Sequence, residues 1–84
     1  MNSDLYLREF ENLATRLGIE IRRMENGPVG FCVIKGAKVL FIDSAMDKNG
    51  QIQVFIESLR TIDLSGVYVV PVLRQLLGVE ENSD

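Results

Sequence analysis

The sequence predicts one small α+β domain, and its length and apolar patterning are the observations behind that class. The chain has 84 residues, of which 46% are hydrophobic, enough for one modest core. In some segments apolar residues recur at helical spacing. In the segments between them, apolar residues either alternate with polar ones or follow one another without interruption, as in strands. We expect residues 1–79 to form the domain, and residues 80–84, which are polar or acidic, to form a disordered tail.

An amphipathic helix is predicted at about residues 3–17. Asn2 or Ser3 is suited to its N-cap, and Gly18 to the left-handed residue that often follows a helix. The apolar residues that recur at helical spacing are Tyr6, Phe10, Leu13, Ala14 and Leu17.

A first strand follows this helix, because Ile19 and Ile21 alternate with charged residues as far as about Met24. Residues 26–28, Asn-Gly-Pro, are turn formers and reverse the chain. Short connections favour pairing between strands that are consecutive in sequence. We therefore expect the first three strands to form an antiparallel meander, packed with two main helices and a short C-terminal helix.

The second and third strands are predicted as a hairpin of residues 31–35 and 38–43. Gly36-Ala37 between them is a two-residue loop whose leading glycine suits a type II′ turn. The register expected from this turn pairs Lys35 with Lys38, Val33 with Leu40 and Phe31 with Ile42.

The hairpin is apolar on both faces, so either two layers of this chain or another molecule must complete its burial. The leading hypothesis is therefore a small protein-interaction module without catalytic activity. Such a module would self-associate, for example as a homodimer, or dock onto a larger protein. The face expected to make this contact consists of Phe31, Val33, Val39 and Phe41.

A second helix is predicted from the N-cap candidate Asp47 onward. Residues 64–70 are typical of an extended segment, and residues 67–70 suit a short fourth strand near a sheet edge, because Pro71 ends it. Pro71 also suits the first position of a short last helix, with Gly78 just past its end. The apolar stripe of the second helix is Ile52, Phe55, Ile56 and Leu59.

The absence of histidine from the sequence excludes several chemistries. The chain has no Ser-His-Asp or Cys-His pair, no HExxH zinc site and no imidazole that titrates near neutral pH. It also lacks a glycine-rich phosphate loop. No cofactor is therefore predicted.

Charge and cysteine content bear on partners and compartment. The net charge of −3 and the pI near 4.9 provide no basic surface for phosphates, so nucleic acid is not an expected partner. The lone Cys32 lies in an apolar run and has no intramolecular disulfide partner, which favours a reducing cytoplasm. Residues 67–73, the longest apolar run, are too few to span a bilayer, so no membrane association is expected.

A calcium site is not supported by the polar segment before the second helix. Residues 47–52 resemble the middle of an EF-hand loop, in which a glycine occupies loop position six. If Gly50 is that glycine, the first and last ligand positions hold Ala45 and Ile56, which cannot bind calcium through their side chains.

Charged residues near the second helix offer an alternative function, that of a small-ligand binder or an enzyme that uses carboxylates. The candidates are Asp43, Asp47, Glu57 and Arg60. Helix capping and solvation explain the same residues without any site.

Residues 17–21 (Leu-Gly-Ile-Glu-Ile), the hairpin of residues 31–43 and the helix from Asp47 together resemble the leading segment of ImmA/IrrE-type zinc metallopeptidases. In that family a helix, a strand and a hairpin precede a helix that carries HExxH. The sequence as a whole also resembles short bacterial proteins with no assigned activity.

The family's HExxH positions correspond to residues 56–60, where only Glu57 matches. Ile56 and Arg60 stand in place of the two zinc-binding histidines. The resemblance therefore implies a vestigial metallopeptidase-like domain that binds no metal and has no peptidase activity.

Overall fold

The chain folds into three helices and three strands in a computed structural model that describes residues 2–78. The class is α+β, as the sequence predicts. The predicted disordered tail, residues 80–84, lies outside the described residues. Within residues 2–78, each helix is too short or too polar to serve as a membrane span. In chain order the elements are α1 (Ser3–Arg16), β1 (Glu20–Met24), β2 (Gly30–Ile34), β3 (Ala37–Asp43), α2 (Lys48–Leu59) and α3 (Pro71–Leu77).

All three helices begin at the residues that the sequence singles out, and α3 also ends at its predicted glycine. Asn2 is the N-cap of α1, and its side chain accepts a first-turn backbone N–H at 3.1 Å. Asp47 is the N-cap of α2 and accepts the Gly50 N–H at 2.7 Å. α3 has Pro71 in its first turn, and Gly78, whose φ of 71° is left-handed, is its C-cap.

The sheet is mixed, with β3 in the centre between β1 and β2. β1 runs parallel to β3, starting with Glu20 opposite Val39, whereas β2 is antiparallel to β3. The predicted antiparallel meander is therefore wrong. β3 has the most buried residues of the three strands. In the central position it is paired along both of its edges. β1 carries Glu20, Arg22 and Arg23, which an edge position leaves in water.

Residues 67–70 do not join the sheet, so the predicted fourth strand is wrong for this part of the described chain. The Tyr68 C=O instead accepts a hydrogen bond from the Arg16 guanidinium of α1 at 2.7 Å. Val69 is buried in the core. The segment therefore packs against the helical layer, where a side chain rather than a neighbouring strand satisfies its backbone.

The β2–β3 hairpin forms as predicted, but its turn lies one residue earlier. Lys35 and Gly36 occupy the loop with φ values of 51° and 84°, which a type I′ turn requires, so the predicted type II′ turn at Gly36-Ala37 is wrong. Positive φ is expected at glycine, but Lys35 also adopts it. Each β2 residue therefore pairs with the β3 residue two positions before its expected partner. A shift by two positions leaves each side chain on the expected face of the sheet. The observed pairs are Ile34 with Ala37, Val33 with Lys38, Cys32 with Val39, Phe31 with Leu40 and Gly30 with Phe41.

The helices lie on one face of the sheet. Leu40 and Ile42 of β3 belong to the core cluster that the helices form, whereas Val39, on the alternate face, does not. The shortest dimension of the molecule, 16 Å, fits two layers. We call the other side of the sheet the open face. It carries the side chains of Glu20, Arg22, Met24, Cys32, Ile34, Val39 and Phe41.

α2 is the central helix of the core and contacts α1, α3, β2 and β3. Its Phe55 ring stacks on the Phe10 ring of α1, with the centroids 5.2 Å apart and the planes within 7°. Both rings are fully buried. Val54 and Ser58 lie outside the predicted apolar stripe but are also buried. α2 packs against the sheet as well as against the other two helices, so more than one side of it is covered.

Replacing Phe55 by alanine is expected to lower the free energy of unfolding by about 3–5 kcal/mol, because a cavity replaces the ring stack. Urea denaturation followed by circular dichroism measures the loss. If too little Phe55→Ala folds, Phe55→Leu is expected to lose about 1 kcal/mol. Gln53→Ala, at an exposed site on the same helix, is the control and is expected to change stability by less than about 0.5 kcal/mol. A Phe55 variant as stable as this control would contradict the packing.

Candidate functional site

Asp43, the first of the four charged candidates, holds two loops together. Its Oδ1 atom accepts the backbone N–H of Asn26 at 3.0 Å and that of Ala45 at 2.9 Å. Asn26 belongs to residues 25–29, which cross the end of β3 on the way from β1 to β2. The carboxylate therefore has a structural role at this crossing.

The other charged candidates serve their own elements. Asp47 caps α2, and Glu57 accepts a hydrogen bond from the Gln53 side-chain amide at 3.1 Å. Arg60 donates to the Leu76 C=O in α3 at 3.1 Å. None of the four candidates hydrogen-bonds to another of them in the described chain. Residues 2–78 also contain no group of three or more His, Cys, Asp or Glu side chains that could hold a metal ion.

The four residues expected to form one interaction face lie on both faces of the sheet. Phe31 and Val33 share the face that the helices cover, whereas Val39 and Phe41 lie on the open face. Val39 is only 1% exposed, so it offers no surface to a partner. Val33 is 60% exposed, because it lies on an edge strand near the end of the hairpin.

Exposed apolar side chains concentrate on β2 and on the residue before it. Val29 is 51% exposed and Ile34 is 40% exposed. With Val33 they make up three of the five exposed large hydrophobic residues in the described chain. Phe31 lies among them and packs partly against the core. We call Val29, Phe31, Val33 and Ile34 the β2 rim.

Two residues of the β2 rim, Phe31 and Val33, belong to the interaction face that the sequence predicts. The other two, Val29 and Ile34, do not. Val29 lies between Pro28 and Gly30, and that isolated β-branched residue within a turn was the available signal. The exposure of Ile34 follows from the edge position of β2, which the expected meander placed in the centre.

The two edges of the sheet differ in charge. On β1, Arg22 forms a salt bridge with Glu20 at 2.8 Å, and Arg23 forms one with Glu11 of α1. β2 has no charged residue. Charged side chains on an edge strand discourage pairing with another chain, so β1 is protected from such pairing and β2 is not.

A cleft of about 250 Å³ lies beside the β2 rim, between β2 and α2. Glu57 is the charged residue in its lining, which consists of Val29, Gly30, Phe31, Val54, Glu57, Ser58 and Thr61. A second cleft of about 480 Å³ lies between α1 and the segment of Tyr68 and Val70. That second cleft contains none of the four charged candidates.

The fold and its surface define a two-layer α+β domain with one uncharged apolar strand edge. No protein-family model matches the chain, and searches of curated proteins and of solved structures find no match either. The resemblance to ImmA/IrrE-type metallopeptidases therefore stays a prediction. Its HExxH positions fall on α2 and the residue after it, where Ile56 is buried and Arg60 binds the α3 backbone.

Replacing Asp43 by alanine is expected to lower the free energy of unfolding by about 1–2 kcal/mol, because the N–H groups of Asn26 and Ala45 lose their acceptor. Asp43→Asn keeps a side-chain oxygen and is expected to lose clearly less. Chemical denaturation of both variants measures the difference. Equal stability of the wild type and Asp43→Ala would contradict the structural role of the carboxylate.

The hydrogen bond from Arg22 lowers the pKa of Glu20 below its ordinary value. The resulting stabilisation is present above the unfolded-state pKa and is lost as the pH falls through the folded-state pKa. In Arg22→Gln, an NMR titration is expected to return the pKa of Glu20 toward its ordinary value. The pKa of Asp63, which a hydrogen bond from Ser65 lowers, is the internal control and should not move. An unchanged pKa of Glu20 would rule out this ion pair in solution.

Proposed function

We propose that the chain is a small protein-interaction module without catalytic activity, which binds an extended protein segment along the β2 rim. The observation that carries the proposal is an edge strand that has no charge and exposes apolar side chains. Binding would remove these side chains from water, and the backbone of the bound segment would extend the sheet. The lone free thiol of Cys32 supports the cytoplasm as the place of action.

The chemistry of the β2 rim indicates what kind of segment would bind. Alternate residues of an added strand point to the helix side of the sheet, where the cleft between β2 and α2 leaves room for them. Glu57 in that cleft favours a basic residue beside the apolar ones. We therefore expect a partner strand of β-branched or aromatic residues with a lysine or arginine at one end.

The alternative function, a ligand binder or enzyme built on carboxylates, has less support. Asp43 and Asp47 accept backbone N–H groups, and Arg60 donates to a backbone carbonyl. These contacts explain the three side chains by the stability of the fold alone.

A charge on the β2 rim is expected to weaken partner binding at least about tenfold, because the burial of one valine is lost and a charge is desolvated. The variant is Val33→Glu. The matched control is Tyr68→Glu, because Tyr68 is 59% exposed, almost as much as Val33, but lies away from β2.

The measurement starts with capture of binding proteins from lysate and their identification by mass spectrometry. The affinity of each purified partner, a second copy of this chain included, is then measured for the wild type and both variants. Loss of affinity in Val33→Glu alone supports the proposal. Binding that survives Val33→Glu, or that Tyr68→Glu abolishes equally, counts against the β2 rim.

A further inference from the structure

We infer that the extended segment bound along the β2 rim is β2 of a second copy of this chain, an inference that rests on the proposed function above. The two β2 strands pair antiparallel around a two-fold axis that passes beside Cys32. Two three-stranded sheets then become one sheet of six strands, with both helical layers on the same side.

The free backbone groups of β2 fit this register. A type I′ turn closes with a hydrogen bond between its first and last residues, here Ile34 and Ala37. Hydrogen-bonded and non-hydrogen-bonded pairs alternate along an antiparallel ladder, so Phe31 and Val33 direct their N–H and C=O groups away from β3. When Phe31 of one copy faces Val33 of the other, these groups bond to one another, and the two-fold axis repeats the arrangement.

The side chains of β2 are complementary to themselves in the same register. On the helix side, Val33 covers the partly exposed Phe31 of the second copy. On the open face, Ile34 lies opposite Gly30 of the second copy. A Cβ atom at Gly30 would have no atom within 4 Å, so the space that Ile34 needs is empty. The whole strand, Gly30–Ile34, is thereby paired along its full length.

Charge complementarity favours a second copy over an unrelated strand. The residue after β2 is Lys35, and this register places it opposite Val29 of the second copy. Val29 and Glu57 line the same cleft, so Lys35 of each copy lies at the end of the cleft that contains Glu57 of the other, within reach of an ion pair. Within the described chain Lys35 forms no salt bridge, and Glu57 is hydrogen-bonded to the uncharged Gln53.

The first test uses the wild type alone. Sedimentation equilibrium over a range of concentrations is expected to show a mass that rises from 9.4 kDa toward twice that value. Cys32 lies opposite itself in a non-hydrogen-bonded pair, where Cα atoms are about 4.5 Å apart, within the range of a disulfide. Diamide, which takes up the two thiol hydrogens, is therefore expected to give a covalent dimer on a non-reducing gel. The chain has one cysteine, so the position of the bond is unambiguous.

The second test exchanges the charges. Lys35→Glu and Glu57→Lys are each expected to raise the dimer dissociation constant about fivefold or more. Each substitution is present in both copies, so it removes two ion pairs at once. The double variant Lys35→Glu/Glu57→Lys is expected to recover most of the wild-type affinity. If a single variant weakened the dimer because it failed to fold, the second charge reversal would not restore the affinity. Recovery therefore separates the ion pair from a folding defect.

Three results would overturn the inference. They are a wild type that stays monomeric up to about 1 mM, a dimer that diamide does not cross-link, and charge reversals that the double variant does not rescue. A monomer that still binds another protein through Val33 overturns the second-copy inference and leaves the proposed function standing. A monomer that binds no protein through Val33 overturns both.

Discussion

The burial of β3 on both of its faces is the constraint on which the rest of the fold depends. Leu40 and Ile42 are covered by the helical layer, and Val39 is buried among its neighbours on the other face. The central position gives β3 a neighbour on each side, so β1 and β2 become the edges of the sheet. The chain that joins them must then cross the end of β3, and Asp43 accepts the Asn26 N–H at that crossing.

The sequence predicts the helices well because their signals are local. Asp47 at the start of α2, and Pro71 and Gly78 at the two ends of α3, act within one helical turn. Strand order is decided by competition between distant segments, and the pattern of a strand does not contain it. The rule that consecutive strands pair favours β2 as the centre, but the charges of β1 and the apolar residues of β3 outweigh that rule. The turn lies one residue earlier than the sequence predicts, because Lys35 adopts a positive φ that is uncommon for residues other than glycine.

The candidate sites show why residue type alone does not identify function. A carboxylate that caps a helix and one that acts as a base look the same in a sequence, and only its hydrogen-bond partners separate them. Asp43 and Asp47 both accept backbone N–H groups. The apolar candidates differ in exposure for a related reason. Phe31 and Val39 have similar sequence surroundings, but one lies on an edge strand and the other on the central strand.

The sheet leaves two apolar surfaces, and they differ in how specifically they can bind. The open face has no free backbone groups to orient a partner, and on its β1 side it carries the Glu20–Arg22 ion pair. The β2 edge adds backbone donors and acceptors at fixed spacing, which set both the direction and the register of whatever binds. A three-stranded sheet in a chain of 84 residues has a small core. Further strands would pair with the free edge of β2 and enlarge the sheet. The same absence of charge that leaves the edge unprotected therefore makes it the surface best able to select a matching strand.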